Sequence, residues 1–132
     1  MRPSTLAEAC RRIRAGQPFD KAIGDFLQAF YAEPSPAARS AMLAEEPPRF
    51  DDPRLDALIG GTAEYLYKRH APDSPPPWIG DPSRTLDLPF FPNVGDDPGL
   101  REYLTFASPA EFKSRNVMVD DEPLRRANTP RP

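Results

Sequence analysis

The sequence predicts an all-α protein, with four N-terminal helices followed by short helices that proline-rich loops connect. Apolar residues recur at helical spacing in the first half of the chain. Capping residues directly precede prolines, as at a helix start, in Ser35-Pro36, Asp52-Pro53, Asp81-Pro82, Asp97-Pro98 and Ser108-Pro109. The length of 132 residues suits one domain. We therefore expect a single helical domain over residues 1–127 and a frayed tail over residues 128–132.

The first two helices follow from caps and apolar stripes. Thr5 and Glu8 have the spacing of a capping box, and Gly16 is placed to end the first helix. Asp20 is expected to cap the second helix, whose apolar residues are Ile23, Phe26, Leu27, Phe30 and Tyr31. Pro34 ends it, because a residue before proline is pushed out of the helical region.

Two further helices complete the first half. One begins at Ser35-Pro36, and the longest is predicted from Pro53 to about His70. Gly60-Gly61 lies inside the longest helix, where each glycine costs about 1 kcal/mol relative to alanine. Either a ring or another helix packs against this bare backbone, or the pair is a tolerated weak spot.

The second half places aromatic residues on stiff, proline-containing backbone. A short helix is expected after Pro82, with Leu86 and Leu88 pointing inward. Another is expected from Pro98, with one face formed by Leu100, Tyr103 and Leu104 and with Phe106 at its edge. Ser108 and Glu111 predict a second capping box, and Asn116 is expected to end that turn in the left-handed region.

Composition limits the classes of function. The formal charge of −3 gives no general attraction to nucleic acid or anionic lipid. Cys10 is the only cysteine, so an intrachain disulfide and a cysteine-based zinc site are excluded. The sequence shows neither an apolar signal region nor a membrane span, and we expect a cytoplasmic protein.

Catalytic patterns are not found in the sequence. His70, the only histidine, is expected near a helix C-terminus, where the helix dipole favours it. Acidic pairs precede helix starts, which capping explains without a metal, and no glycine loop has the pattern that cradles phosphate. We therefore predict neither an enzyme nor a cofactor or metal site.

Two basic clusters remain as candidate binding sites. The first is Lys113, Arg115 and Asn116, after Phe112: either Arg115 presents its guanidinium to a partner and Asn116 adds hydrogen bonds, or Arg115 pairs internally with an acid and Asn116 is a helix C-cap. Arg11, Arg12 and Arg14 either bind phosphate or form a solvated helix face.

The second half resembles a group of small bacterial antitoxins encoded beside nucleotidyltransferase-like toxins. Three segments carry the resemblance: Pro76-x-Trp78, Leu86-x-x-Pro89-Phe90-Phe91 and Ser108-Pro109-x-x-Phe112-x-x-Arg115-Asn116-Val117-x-Val119. With the region from Phe19 to Tyr31 and the segment Glu64-Tyr65-Leu66, it covers most of residues 17–127. Some members of the group carry a helix-turn-helix ahead of this module, which is not found in this sequence.

The resemblance implies a non-catalytic interaction module that neutralises a nucleotidyltransferase-like toxin by binding it. Under this hypothesis the partner-binding residues are Trp78, Phe90, Phe91, Phe112, Arg115 and Asn116, because aromatic residues and arginine are the usual anchors of interfaces. The alternative is a nucleic-acid-binding transcriptional regulator that uses Arg11, Arg12 and Arg14.

Overall fold

The computed structural model describes residues 2–92, 95, 97–126 and 129. Within these residues the structure is mostly helical and contains no β-strand, so the all-α prediction is confirmed. Apart from Thr129, the predicted tail over residues 128–132 lies outside the described residues. None of the described helices is long and apolar enough to cross a membrane.

Six α-helices and two 3₁₀ turns follow one another along the described chain. The helices are α1 (Leu6–Arg14), α2 (Phe19–Ala32), α3 (Pro36–Ala44), α4 (Pro53–His70), α5 (Pro98–Ala107) and α6 (Ala110–Lys113). The 3₁₀ turns, Pro77–Gly80 and Pro82–Arg84, lie between α4 and α5. The predicted helix after Pro82 is therefore only a 3₁₀ turn.

Local capping explains most of these boundaries. The Thr5 hydroxyl accepts the Glu8 N–H at 3.0 Å, and the Ser35 hydroxyl accepts the Ala38 N–H at 3.2 Å. Gly16, at φ +115°, ends α1 as predicted. Asp97 accepts two backbone N–H groups at the start of α5. Proline after a capping residue therefore marks the starts of α3, α4 and α5.

Two predicted caps are wrong. α2 begins at Phe19, one residue before Asp20, and its N-cap is Pro18 without a side-chain hydrogen bond. α6 begins at Ala110 with Pro109 as N-cap. The Ser108 hydroxyl instead accepts the Val119 N–H at 2.8 Å and lies 2.6 Å from the Leu104 carbonyl oxygen. Tertiary hydrogen bonds have therefore displaced the local capping box.

The chain divides into two compact units, and the single domain expected over residues 1–127 stays a prediction. The first unit comprises Met1–Arg49, Leu66–Pro76 and Leu124–Pro132. Its buried side chains include Leu6, Cys10, Phe26, Leu27, Phe30, Leu43 and Leu66. Two buried tyrosines donate to backbone carbonyls in this unit: Tyr31 to Leu124 at 2.9 Å and Tyr67 to Ser40 at 3.0 Å.

The second unit comprises Phe50–Tyr65 and Pro77–Pro123. Its buried residues include Ile59, Trp78, Ile79, Leu104, Phe112 and Val117. A parallel β-bridge joins Phe90 to Val117. All six of the predicted partner-binding residues belong to this unit, and the candidate site is therefore built within it.

Candidate functional site

Gly60 and Gly61 leave the backbone of α4 bare, and side chains of the second unit pack against it. A Cβ at Gly61 would lie 2.6 Å from Cδ1 of Phe112, and one at Gly60 would lie 2.7 Å from Nη1 of Arg115. Such distances are too short for a side chain to fit without moving its neighbour. Of the two interpretations of this glycine pair, close packing is the one the structure supports.

Arg115 lies on the turn after α6, and its side chain points into the unit. It is 5% exposed. Its Nη2 donates to the Ile79 carbonyl at 2.6 Å and to Glu64 Oε1 at 3.1 Å. Its Nη1 donates to the Arg84 carbonyl at 3.2 Å. Arg115 thus connects α4 to both 3₁₀ turns.

A second buried arginine, Arg84, was missed by the sequence analysis. Its side chain is fully buried, and its Nη1 donates to the Asp56 carbonyl at 3.2 Å. The guanidinium lies 4.8 Å from the centre of the Trp78 ring, within the range of a cation–π interaction. Its only local signal is the Asp81-Pro82 cap, which places a turn but does not indicate where the arginine points.

Three of the predicted partner-binding residues therefore have internal roles. Trp78, Phe112 and Arg115 are buried within the second unit, so in this structure their side chains offer almost no surface to a partner. Asn116 adopts φ 62°, as predicted for the end of the turn. Its side-chain amide donates to the Leu86 carbonyl at 2.7 Å.

Phe90 and Phe91 are half-buried, and each ring lies beneath an arginine. Arg54 lies 5.1 Å from the centre of the Phe90 ring, and Arg101 lies 4.8 Å from the centre of the Phe91 ring. Together with residues 86–89, these four residues line an open groove of about 500 Å³. Of the predicted partner-binding residues, Phe90 and Phe91 are the two that line this open groove.

Backbone hydrogen bonds hold the segment from Leu86 to Phe90 at both ends. The Leu86 N–H donates to the Arg115 carbonyl at 3.0 Å, and the Phe90 N–H donates to the Asn116 carbonyl at 2.8 Å. The Met118 N–H donates to the Phe90 carbonyl at 2.8 Å. Leu88 lies between these attachment points and is 76% exposed, so the expectation that it points inward is wrong.

The outer face of α5 is also apolar. Leu100, Tyr103 and Phe106 recur every third residue and are 41%, 53% and 76% exposed, whereas Leu104 is buried. Of Leu100, Tyr103 and Leu104, which the sequence placed on one face of this helix, only Leu104 is buried. Residues spaced by three form one row along a helix, so the exposed residues make a continuous stripe.

The N-terminal arginines have acidic or backbone partners. Arg11 bonds Glu45 at 2.8 Å, and Arg12 bonds Glu8 at 3.2 Å. Arg14 donates to the Arg49 carbonyl. Hydrogen bonds from Arg12 and Arg11 lower the pKa of Glu8. Nucleic-acid binding through these arginines stays a prediction, and it would compete with these contacts.

Cys10 and His70 both belong to the first unit. Cys10 is buried in the first unit, and His70 lies against the rings of Phe30 and Tyr31, at 6.1 Å and 5.3 Å between centroids. Burial, and then the charges of Arg39 and Arg69, lower the pKa of His70. The described residues hold no group of three or more His, Cys, Asp or Glu side chains placed to bind a metal ion.

Comparison with known proteins found no relative of this chain. No protein-family model, curated protein or solved structure matches it.

Proposed function

We propose that this chain is a non-catalytic interaction module, an antitoxin-like protein that binds and neutralises a nucleotidyltransferase-like toxin. The observation that carries the proposal is the distribution of exposed apolar residues. Among the described residues, the exposed large apolar side chains all fall between residues 88 and 106: Leu88, Leu100, Tyr103 and Phe106. Exposed apolar patches are typical of protein-interaction surfaces, and we propose that these residues contribute to one.

The composition of this region supports a protein partner. Aromatic residues and arginine are enriched at the energetic centres of interfaces, and the stretch from residue 88 to residue 106 contains Phe90, Phe91, Arg101, Tyr103 and Phe106. The resemblance to antitoxins supplies the identity of the partner. We call the four exposed residues Leu88, Leu100, Tyr103 and Phe106 together the apolar surface.

This assignment changes the expected anchors. The sequence hypothesis named Trp78, Phe112 and Arg115 as contacts, and these side chains are buried in the second unit. We propose that they act indirectly, by holding segment 86–90 in place. The direct contacts would then be made by the apolar surface and by Phe90 and Phe91.

Co-expression with the product of the neighbouring gene tests the proposal. We expect the wild-type chain to restore growth and to co-purify with the toxin. The double variant Leu88→Asp/Phe106→Asp should fold normally, because both side chains are mainly exposed, and should lose both effects. Ala37→Asp, at an exposed position of α3, is the matched control and should behave like the wild type.

Two results would count against the proposal. Absence of a complex and of growth rescue with the wild-type chain would reject the antitoxin function. Retention of both by the double variant would reject the apolar surface as the binding site.

A further inference from the structure

Leu86 and Phe90 are joined to the chain that follows α6 through the N–H and the carbonyl of each residue. The Leu86 N–H donates to the Arg115 carbonyl at 3.0 Å, and the Phe90 N–H donates to the Asn116 carbonyl at 2.8 Å. The Phe90 carbonyl accepts the Met118 N–H at 2.8 Å. The Leu86 carbonyl, in contrast, accepts a side-chain donor, Nδ2 of Asn116, at 2.7 Å. One side chain therefore completes the closure of this segment.

The three residues between these ends are all exposed. They are Asp87, Leu88 and Pro89, and the Leu88 side chain is 76% exposed. Pro89 fixes its own φ and restricts Leu88 to extended backbone conformations. Leu88 is thus presented on backbone that is already ordered, so a partner that buries it loses less conformational entropy than it would on binding a mobile loop.

Asn116 combines a turn with a bond that the turn does not require. Its φ of 62° lies in the left-handed region, which asparagine adopts more readily than most residues. From this position its carbonyl bonds Phe90 at one end of the segment, and its side-chain amide bonds Leu86 at the other. Glycine would suit the same backbone but would lack the amide. The amide therefore has a role of its own, separate from ending the turn after α6.

We propose that Asn116 is a positioning residue for partner binding. Its side-chain amide holds segment 86–90 closed, so that Leu88 meets the protein partner in one conformation. Asn116 then acts through Leu88 rather than through the direct contact that the sequence hypothesis gave it. The inference rests on the proposed function, because the partner is the toxin named there.

Two substitutions remove the amide donor while keeping a residue that tolerates left-handed backbone: Asn116→Gly and Asn116→Asp. Amide hydrogen exchange of the free chain, followed by NMR, measures the closure without the toxin. In both variants the Leu86 and Phe90 amides should exchange about tenfold faster, which is the effect of one lost hydrogen bond on local opening. Leu88→Ala should leave both exchange rates unchanged, because it alters the exposed side chain alone.

Calorimetric titration with the toxin then measures the consequence for binding. Both Asn116 variants should raise the Kd about tenfold, or about 1.4 kcal/mol, which is the order of the entropy lost when one backbone residue is fixed. Ser35→Ala is the matched control, because it removes the hydrogen bond that caps α3 in the first unit. It should lower the Tm but leave the exchange of Leu86 and Phe90 and the Kd unchanged.

Thermal unfolding shows that each variant is folded at the temperature of the titration. Wild-type exchange rates in both Asn116 variants, or an unchanged Kd in spite of faster exchange, would overturn the inference. Equal weakening of binding by Ser35→Ala would also overturn it, since the loss would then follow global stability rather than the closure of the segment.

These results separate the inference from the proposed function. A wild-type chain that forms no complex would reject the antitoxin function, whereas a complex that forms equally well with the Asn116 variants would reject only the positioning role. In the first case the exchange rates of the free chain still decide whether Asn116 holds segment 86–90.

Discussion

Replacing Gly61 with alanine should reverse the usual effect of this substitution in a helix. Alanine inside a helix is normally favoured over glycine by about 1 kcal/mol. At Gly61, however, the new Cβ would lie 2.6 Å from Cδ1 and 2.9 Å from Cε1 of Phe112. The Phe112 ring is completely buried and packs 5.9 Å from the Tyr65 ring, so it has no open space to enter.

The size of the effect follows from two opposing contributions. Inserting an extra methyl group into a packed interior costs about 1–3 kcal/mol. After subtraction of the helix gain of about 1 kcal/mol, we expect a net loss of about 1 kcal/mol in the free energy of unfolding. For a chain of this length that loss lowers Tm by about 4 °C. Urea titration and thermal unfolding followed by circular dichroism measure both quantities.

Two further variants test whether the Phe112 ring causes the loss of stability in Gly61→Ala. Gly24→Ala in α2 is the matched control, because its Cβ would meet only the movable guanidinium end of Arg126, at 3.1 Å from Nη2. It should be neutral or stabilise the protein by up to about 1 kcal/mol. In a Phe112→Leu background, Gly61→Ala should lose its penalty. If Gly61→Ala stabilises the wild-type chain as much as Gly24→Ala does, the close packing described here is incorrect.

Three further predictions concern stability. Arg115→Ala should lower the free energy of unfolding by about 3 kcal/mol, since it leaves Glu64 and buried carbonyls without their donor. The control Lys113→Ala, at an exposed neighbouring position, should change this free energy by less than about 0.5 kcal/mol in the same urea titrations. Equal effects of the two substitutions would contradict the internal role of Arg115. Because the pKa of His70 is lowered in the folded state, the unfolded chain takes up the proton first, and stability should fall as pH decreases below about 6.5. His70→Gln should flatten this part of the stability profile in urea titrations at several pH values, and an unchanged slope would refute it. Asp97→Ala should cost about 1 kcal/mol through loss of the α5 cap, which thermal unfolding detects, and an unchanged Tm would argue against the cap.

Features governed by near neighbours in the chain were predictable from the sequence. The start of α4 at Pro53, its end at His70 and the Ser35 cap depend on a proline or a side chain within a few residues. The left-handed conformation of Asn116 was predictable for the same reason. These signals establish where helices begin and end.

Side-chain direction in the second half depended on distant partners and was not predictable. Leu88 faces outward because Leu86 and Phe90 are tied to residues 115–118, about thirty positions away. The Ser108 hydroxyl accepts the Val119 N–H instead of capping α6, and Arg84 is buried against the carbonyl of Asp56. The sequence placed the aromatic residues of the second half on proline-containing backbone, but it could not separate the residues that support this region from those on its surface.

The glycine pair of α4 also restricts how this protein can change over evolutionary time. Gly60 and Gly61 meet Arg115 and Phe112, which belong to one short stretch three positions apart. A lineage that gains a side chain at position 61 must accept a smaller residue at 112, and one that does so at 60 must reposition the arginine at 115. Substitutions at these four sites should therefore be inherited as compensated pairs, while Leu88 and Phe106 remain open to diversify with the partner.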